Sequence, residues 1–425
     1  MRVAHLLRKL DPAEWSGTEV AVQRLVQGLR HHNVESVVFC PRLESGSEPD
    51  ALARSGFQVH RFRAFVPVLG ISQEQRRQLV AVGGNLMSLE LLRALWRTRG
   101  LSLIHTHTLG RLGGIGLTVA RRRRLPFVVT IHGGALDLPA KVGAAFRDAR
   151  KSGWEWGKLF GVLFQSHRLF KDADALLTCN PREADLLKEE FPGKRIAVQP
   201  HAVPVEIYGQ DQRAAARAAF PAIGNRQILL SLGRLDPVKN QGWLLEQAPL
   251  IFKKHPRALL VLAGPCTDEA YGKLLDERLR QAGLQDRVLL TGGMAAHEPR
   301  LIGLLQSADL LLLPSLSETF GLVILEAWAA GTTVLATRTS GPATLIEHGV
   351  NGWLFDLDRP QSFHETVDWA LNNSARVKEM ARRGASIAAQ YGIESLARRM
   401  KGLYAELVEQ KLCATSSYAT TTQTH

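Results

Sequence analysis

Ile228-Leu-Leu-Ser-Leu232-Gly233-Arg234-Leu-Asp-Pro-Val-Lys239-Asn240 is a short apolar run broken by a glycine, followed by two cations and a turn. From Gln241 the pattern becomes helical. Four to six consecutive apolar residues bounded by turn chemistry suit a strand buried on both faces. A strand that passes through glycine into a helix is half of a β-α-β unit. The same alternation recurs along the chain, with strands expected at Val3–Leu7, Ser36–Phe39, Ser102–Ile104, Phe127–Ile131, Ala175–Thr178, Ala258–Ala263, Arg287–Leu290, Leu310–Leu313 and Thr333–Ala336. The fold class is therefore α/β, with parallel sheets and Rossmann-like halves.

At 425 residues, 45% hydrophobic and 22% charged, the chain is globular in composition and too long for one core. Sequence breaks place an N-terminal domain at 1–204, a second domain at 205–393, a last amphipathic helix at 394–412 and a Ser/Thr-rich tail without structure at 413–425. The apolar runs fall far short of the roughly 20 residues that span a bilayer. The start reads as a first strand and not as an export signal. Cys40, Cys179, Cys266 and Cys413 are too scattered for a disulfide framework or a zinc site, and they fit a reducing cytoplasm. Of the net charge of +13, nearly all lies in residues 1–200, which hold 30 Lys and Arg against 18 Asp and Glu. Such a surface suits phosphorylated small molecules, anionic membrane or nucleic acid, or has no partner at all.

In open α/β sheets ligands bind beyond the carboxyl ends of the strands, and the informative residues follow strands here. Gly233 lets the backbone approach a ligand, Arg234 can grip two phosphate oxygens, and Lys239 adds a mobile point charge. After Leu310–Leu313 come Glu318, Thr319, Phe320, Gly321 and Leu322, expected at the mouth of a helix running to Ala330. On one helix Glu318 and Glu326 would be about 12 Å apart, too far for the paired carboxylates of a glycoside hydrolase. They are expected to hold different parts of one elongated ligand. In the N-terminal half, Gly17 opens a helix, His105 and His107 flank the end of a strand, and Phe127–Ile131 delivers His132 and Gly133. No His, Cys or Asp triplet has convincing metal-ligand spacing, so no metal is expected.

Several of these stretches together resemble glycosyltransferase family 4, the retaining GT-B glycosyl transferases of group 1. They are Gly17-Thr18-Glu19, Ile104-His-Thr-His107, Thr130-Ile-His132-Gly133, Gly233-Arg234 with Lys239-Asn240, Ala263-Gly264-Pro265, Glu318 to Glu326, and Gly349-Val-Asn-Gly352. The resemblance implies two Rossmann-like domains facing a central cleft, the first binding acceptor and the second a nucleotide sugar. It implies a last helix that crosses back to the first domain.

By position, Arg234 and Lys239 would neutralise the diphosphate, and Glu326 would bind ribose. Glu318, with the backbone of Thr319, Phe320, Gly321 and Leu322, would bind hydroxyls of the sugar. Gly17 and Gly233 would admit the phosphates, the base would lie near Gly293, and His132 would sit near the anomeric carbon as a positioner. Two cations and a helix N-terminus can stabilise a leaving diphosphate, so metal-independent transfer is expected, with no cofactor beyond the donor substrate. Ser16 and His201-Ala202-Val203-Pro204 depart from the usual family pattern. The acceptor is expected in bacterial surface polysaccharide, lipopolysaccharide or glycolipid synthesis. The basic, aromatic stretch Lys141 to Lys171 suits a packed helix pair roofing the cleft, with a contact to an anionic membrane on the cytoplasmic face as the alternative. Nucleic acid is disfavoured, because the aromatics are placed as core and not as stacking platforms. A sugar epimerase, a phosphorylase and an inactive nucleotide-sugar binder remain as alternatives, although no lysine has the context of a pyridoxal phosphate site.

Overall fold

The structure is a computed structural model that describes residues 1–10, 17–42, 53, 56–70, 86–133, 154–155 and 158–421. The chain forms two compact units, one of residues 1–200 with 393–425 and one of residues 201–392. The first unit holds a seven-stranded parallel sheet with strand order β3-β2-β1-β5-β6-β8-β9. Its strands are β1 (Arg2–Leu6), β2 (Glu35–Pro41), β3 (Gln58–Phe62), β5 (Leu103–Thr106), β6 (Phe127–Ile131), β8 (Ala175–Thr178) and β9 (Ile196–Val198), with β4 (Val68–Leu69) and β7 (Trp154–Glu155) forming a separate antiparallel pair. The second unit holds a six-stranded parallel sheet of order β12-β11-β10-β13-β14-β15. These strands are β10 (Gln227–Leu232), β11 (Ala258–Ala263), β12 (Val288–Gly292), β13 (Leu310–Leu313), β14 (Val334–Thr337) and β15 (Gly352–Phe355). Strands such as Ala258–Ala263 and Leu310–Leu313 are buried at every residue, as a sheet covered by helices on both faces requires.

Both sheets have a point where strand order reverses. In the first it lies between β1 and β5, and in the second between β10 and β13. Connections leaving the two neighbouring strands there diverge to opposite faces, which opens a crevice beyond their carboxyl ends. In the second unit the backbone closes in beside that crevice. Gly233 (φ 154°) and Gly264 (φ 144°) end β10 and β11, and a Cβ on Gly264 would lie 2.0 Å from the Gly233 carbonyl oxygen.

Three differences from the sequence reading concern helix limits and the domain boundary. The expected helix from Glu318 begins only at Leu322 and ends at Ala329, because Gly321 takes a left-handed φ of 89° that interrupts the helical run. Glu318 therefore lies in a loop, and a 12 Å helical separation from Glu326 does not apply. The division falls at Pro200 and not Pro204, since the Val203 N–H donates to Tyr391 O at 2.9 Å and ties residues 201–204 into the second unit.

The third concerns the last helix, Ile393–Thr421, which runs nine residues past the expected end at Leu412 and carries most of the presumed tail in helical form. Extending a formed helix adds one hydrogen bond per residue fixed, so polar composition alone does not stop it. That helix belongs to the first unit. Met400, Tyr404 and Leu407 pack with Val3, Leu25, Leu29, Val128 and Leu177, and the helix lies so close to Gly28 that a Cβ there would be 2.7 Å from Ala397 Cβ. The strands β3, β9 and β15 were not among those named from the sequence. The first two are half exposed with mixed polarity, and β15 begins at the glycine of a turn. No helix among the described residues is long and apolar enough to cross a membrane.

Gly264→Ala should lower the urea midpoint, costing about 1–3 kcal/mol, because its methyl meets backbone that can move only with β10. Gly17→Ala should stay within about 0.5 kcal/mol of the parent, since a Cβ there meets nothing within 4 Å.

Candidate active site

The crevice of the second unit collects the charged residues singled out in the sequence. Lys239 Nζ donates to Glu318 Oε2 at 2.5 Å, and Glu318 Oε1 accepts the Gly321 N–H at 3.1 Å. The Glu318 carbonyl accepts the Gly341 N–H at 2.8 Å, which anchors the loop from behind. Arg234 pairs with Asp236 at 2.9 Å, and Asp236 Oδ1 also accepts the Lys239 N–H at 2.9 Å. One short loop thus presents both cations. Their counter-ions are the better buried partners, with Asp236 9% and Glu318 18% exposed against 44% for Arg234 and 23% for Lys239. Burial alone would push the Glu318 carboxyl up. The Lys239 charge, the hydrogen bond from Lys239 and the N–H groups of Gly321 and Phe320 outweigh it, and the net displacement is downward.

The other expected donor residues take more varied places. Phe320 is buried with its ring 4.8 Å from that of His201, and Leu322 starts the helix on which Glu326 lies, 7% exposed. Thr319 is in the loop between Glu318 and that helix. Gly293 follows β12, and a Cβ there would come within 3.1 Å of Pro265. The Gly321 N–H, expected to serve the sugar, is engaged by the Glu318 carboxylate, since a loop that turns back at Gly321 brings the carboxylate onto its own amide.

The first unit's crevice gathers histidines. His5 comes from β1, His105 from β5, His107 follows β5, and His132 follows β6. His5 Nδ1 lies 3.1 Å from His107 Nε2, and His107 Nδ1 lies 3.0 Å from His132 Nε2. His105 is bonded to Tyr404 OH and to Thr130 Oγ1, both at 2.6 Å. Ligand nitrogens of His5, His105 and His107 lie within 4.8 Å of one another, an assembly the sequence reading did not foresee. Its residues come from strands separated by about a hundred positions, so no local spacing announces it; the register of β1 beside β5, which sets His5 against His105, creates it. Gly17 opens its helix at the surface with no steric demand for glycine.

Among the basic and aromatic residues of Lys141 to Lys171, Lys141, Phe146, Arg147, Arg150, Lys151 and Trp156 lie outside the described residues. Phe164 is buried, and Phe160 and Phe170 pack against the first unit's core. Arg121 and Arg168 both pair with Asp172, at 2.8 and 2.7 Å.

Residues 16–202 match the family described as glycosyl transferase 4-like domain, and residues 212–387 match glycosyl transferases group 1. The chain belongs to the family-4-type glycosyltransferases. A D-inositol 3-phosphate glycosyltransferase of Thermobispora bispora is 31% identical to this glycosyltransferase over 246 residues, which span 56% of this chain and 57% of the relative. D-inositol 3-phosphate glycosyltransferase 2 of Catenulispora acidiphila is 26% identical over 97% of this chain and 98% of its own. Among solved structures, HepE of Anabaena in complex with UDP-glucose superposes with a TM-score of 0.71 at 19% identity, covering 96% of this chain and 100% of that one. Sucrose-phosphate synthase of Thermosynechococcus elongatus gives 0.74 at 21% identity, over 96% and 99% of the two chains. These likenesses show the GT-B fold of the glycosyltransferase, with its two Rossmann-like domains.

Because the folded Glu318 carboxyl is held below its unfolded value, the Lys239 pair stabilises fully above the ordinary glutamate range and is lost as pH falls through the lower folded value. Glu318→Gln should therefore lose roughly 1.5–3 kcal/mol at pH 7. The gap to the parent should narrow in denaturation measured below about pH 4.

Proposed function

We propose that this glycosyltransferase moves a sugar from a nucleoside diphosphate sugar to a hydroxyl acceptor with retention of configuration and without a metal ion. The observation that carries the reading is the Arg234–Asp236 and Lys239–Glu318 network beyond the ends of β10 and β13. Breaking the bond between the anomeric carbon and the diphosphate leaves charge on the departing oxygens. Arg234 and Lys239 stand ready to take it, and buried counter-ions hold them in place before the donor arrives. When a diphosphate engages Lys239, the Glu318 carboxylate is released in part to accept hydroxyls of the sugar. Glu326 takes the ribose hydroxyls, and the base lies over Gly293.

A metal is dispensable in this scheme because two fixed cations supply the compensating charge. The departing phosphate oxygen takes the acceptor proton on the face it leaves, which preserves the anomeric configuration and requires no side-chain base.

For the acceptor, the relatives named D-inositol 3-phosphate glycosyltransferases and the excess of cations in residues 1–200 support a small hydroxylated phosphate. A panel of nucleotide sugars, assayed for nucleoside diphosphate release with and without inositol phosphate, tests donor and acceptor together. Lys239→Ala and Glu318→Ala should each lower kcat about 10²–10³-fold. Glu326→Ala should act mainly on donor KM, raising it about tenfold. Release absent with every donor, or unchanged in all three variants, would overturn the reading. Transfer only to a lipid-linked glycan would replace the phosphate acceptor with a surface-polysaccharide one. Proton NMR of the product should show the donor's anomeric configuration, and excess EDTA should leave the rate within about twofold.

A further inference from the structure

Arg234 lies just past the point where β10 loses its neighbour on one side. The Gly233 N–H donates to Ala263 O and the Leu235 N–H to Pro265 O, both at 2.9 Å, so residues 233 and 235 face the extension of β11. Successive residues of a strand in a parallel sheet face alternate neighbours, which turns the Arg234 carbonyl to the other side, toward β13. That strand pairs with β10 only at Leu229 and Leu230. The donor that reaches the Arg234 carbonyl is a side chain, Gln241 Nε2, at 2.8 Å.

The connection between the two residues is short and fixed. Asn240 takes a left-handed φ of 58°, and its side-chain amide donates to Pro314 O at 3.2 Å. The chain turns back there and sets the first residue of the helix Gln241–Lys254 beside the end of the strand it has left.

Gln241 is 1% exposed, and its Oε1 has no hydrogen-bond partner among the described residues. The amide cannot be turned over, because a carbonyl only accepts and Nε2 is the one donor this side chain has. A half-satisfied buried amide stabilises a fold less than an apolar side chain of the same size would. Stability does not explain a glutamine here; its one bond fixes the main chain at Arg234. Asp236 holds the same residue by its guanidinium, so a side chain that is 44% exposed is restrained at both ends.

We propose that Gln241 is a positioning residue, whose amide clamps the Arg234 carbonyl so that the guanidinium is aimed before its anion arrives. The role rests on the transfer reaction proposed above, in which Arg234 takes charge from the departing diphosphate. A cation fixed in advance stabilises that charge as it develops, with no reorganisation at the moment of reaction. The clamp therefore acts on the chemical step more than on donor binding.

Gln241→Leu and Gln241→Met remove the donor and the orphaned oxygen together. Each should lower kcat about tenfold while donor KM stays within about threefold. The urea midpoint should stay within about 0.5 M of the parent, which separates aim from folding. In an Arg234→Ala background the same substitutions should change kcat by less than about twofold, because the group being aimed is gone. Spectra of 15N-arginine-labelled protein give a reading without substrate, with Arg234 assigned by its loss in Arg234→Lys. Its two Nη groups should resonate separately in the parent, where Asp236 holds one of them, and merge in both Gln241 variants. A kcat within about twofold of the parent in both variants overturns the proposal. So does an equal fall with and without Arg234, a fall matched by a lowered urea midpoint, or Arg234 resonances that ignore Gln241. If no donor is turned over, the transfer reading falls, and the spectra still decide whether Gln241 holds Arg234.

Discussion

The constraint on which both units depend is the reversal of strand order within a parallel sheet. Strands of one direction with helices on both faces leave one place per sheet where adjacent connections part, and only there can backbone, cations and titratable groups converge beyond the strand ends. In the second unit the convergence includes Gly233, Arg234 and Lys239 after β10 and Glu318 after β13. In the first it includes His5 on β1 and His105 and His107 at the end of β5. The fully apolar strands that make the sheets stable also fix the register, so the chemistry is placed by the same residues that build the core.

The electrostatics of the second unit's crevice follow from what a basic site must do while empty. Two cations beside one another repel and would draw in any passing anion. Pairing Arg234 with Asp236 and Lys239 with Glu318 balances the charge and fixes the geometry, while the greater exposure of the cations leaves them accessible. An anion arriving there would have to exchange partners and not fill a bare field, which favours one able to replace a carboxylate with several oxygens at once.

Much of this was legible in the sequence, and the failures have physical causes. Strands Phe127–Ile131, Ala175–Thr178, Ala258–Ala263 and Leu310–Leu313 were read at their observed bounds because burial on both faces leaves an unbroken apolar run. Edge strands β3 and β9 were missed because an edge is half solvated and carries no such run. The loop at Glu318 was mistaken for helix because a left-handed Gly321 cannot be told from a helical glycine by composition. The pairing of Lys239 with Glu318 was not foreseen, because the sequence reading gave Lys239 to the diphosphate and Glu318 to the sugar. The His5, His107 and His132 chain was invisible, since it exists only through the pairing of β1 with β5 and the placement of β6 beside them.

Helix Ile393–Thr421 has a further consequence, which concerns time and not geometry. Tyr404, the hydrogen-bond partner of His105, and Met400 and Leu407, which share a core with Val3 and Val128, are made after all of residues 201–392. On the ribosome the second unit has its whole sequence available before the first does, although the first begins to emerge earlier. The amino-terminal sheet must wait with one face of its core uncovered until that helix has been made, and His105 meets Tyr404 only then.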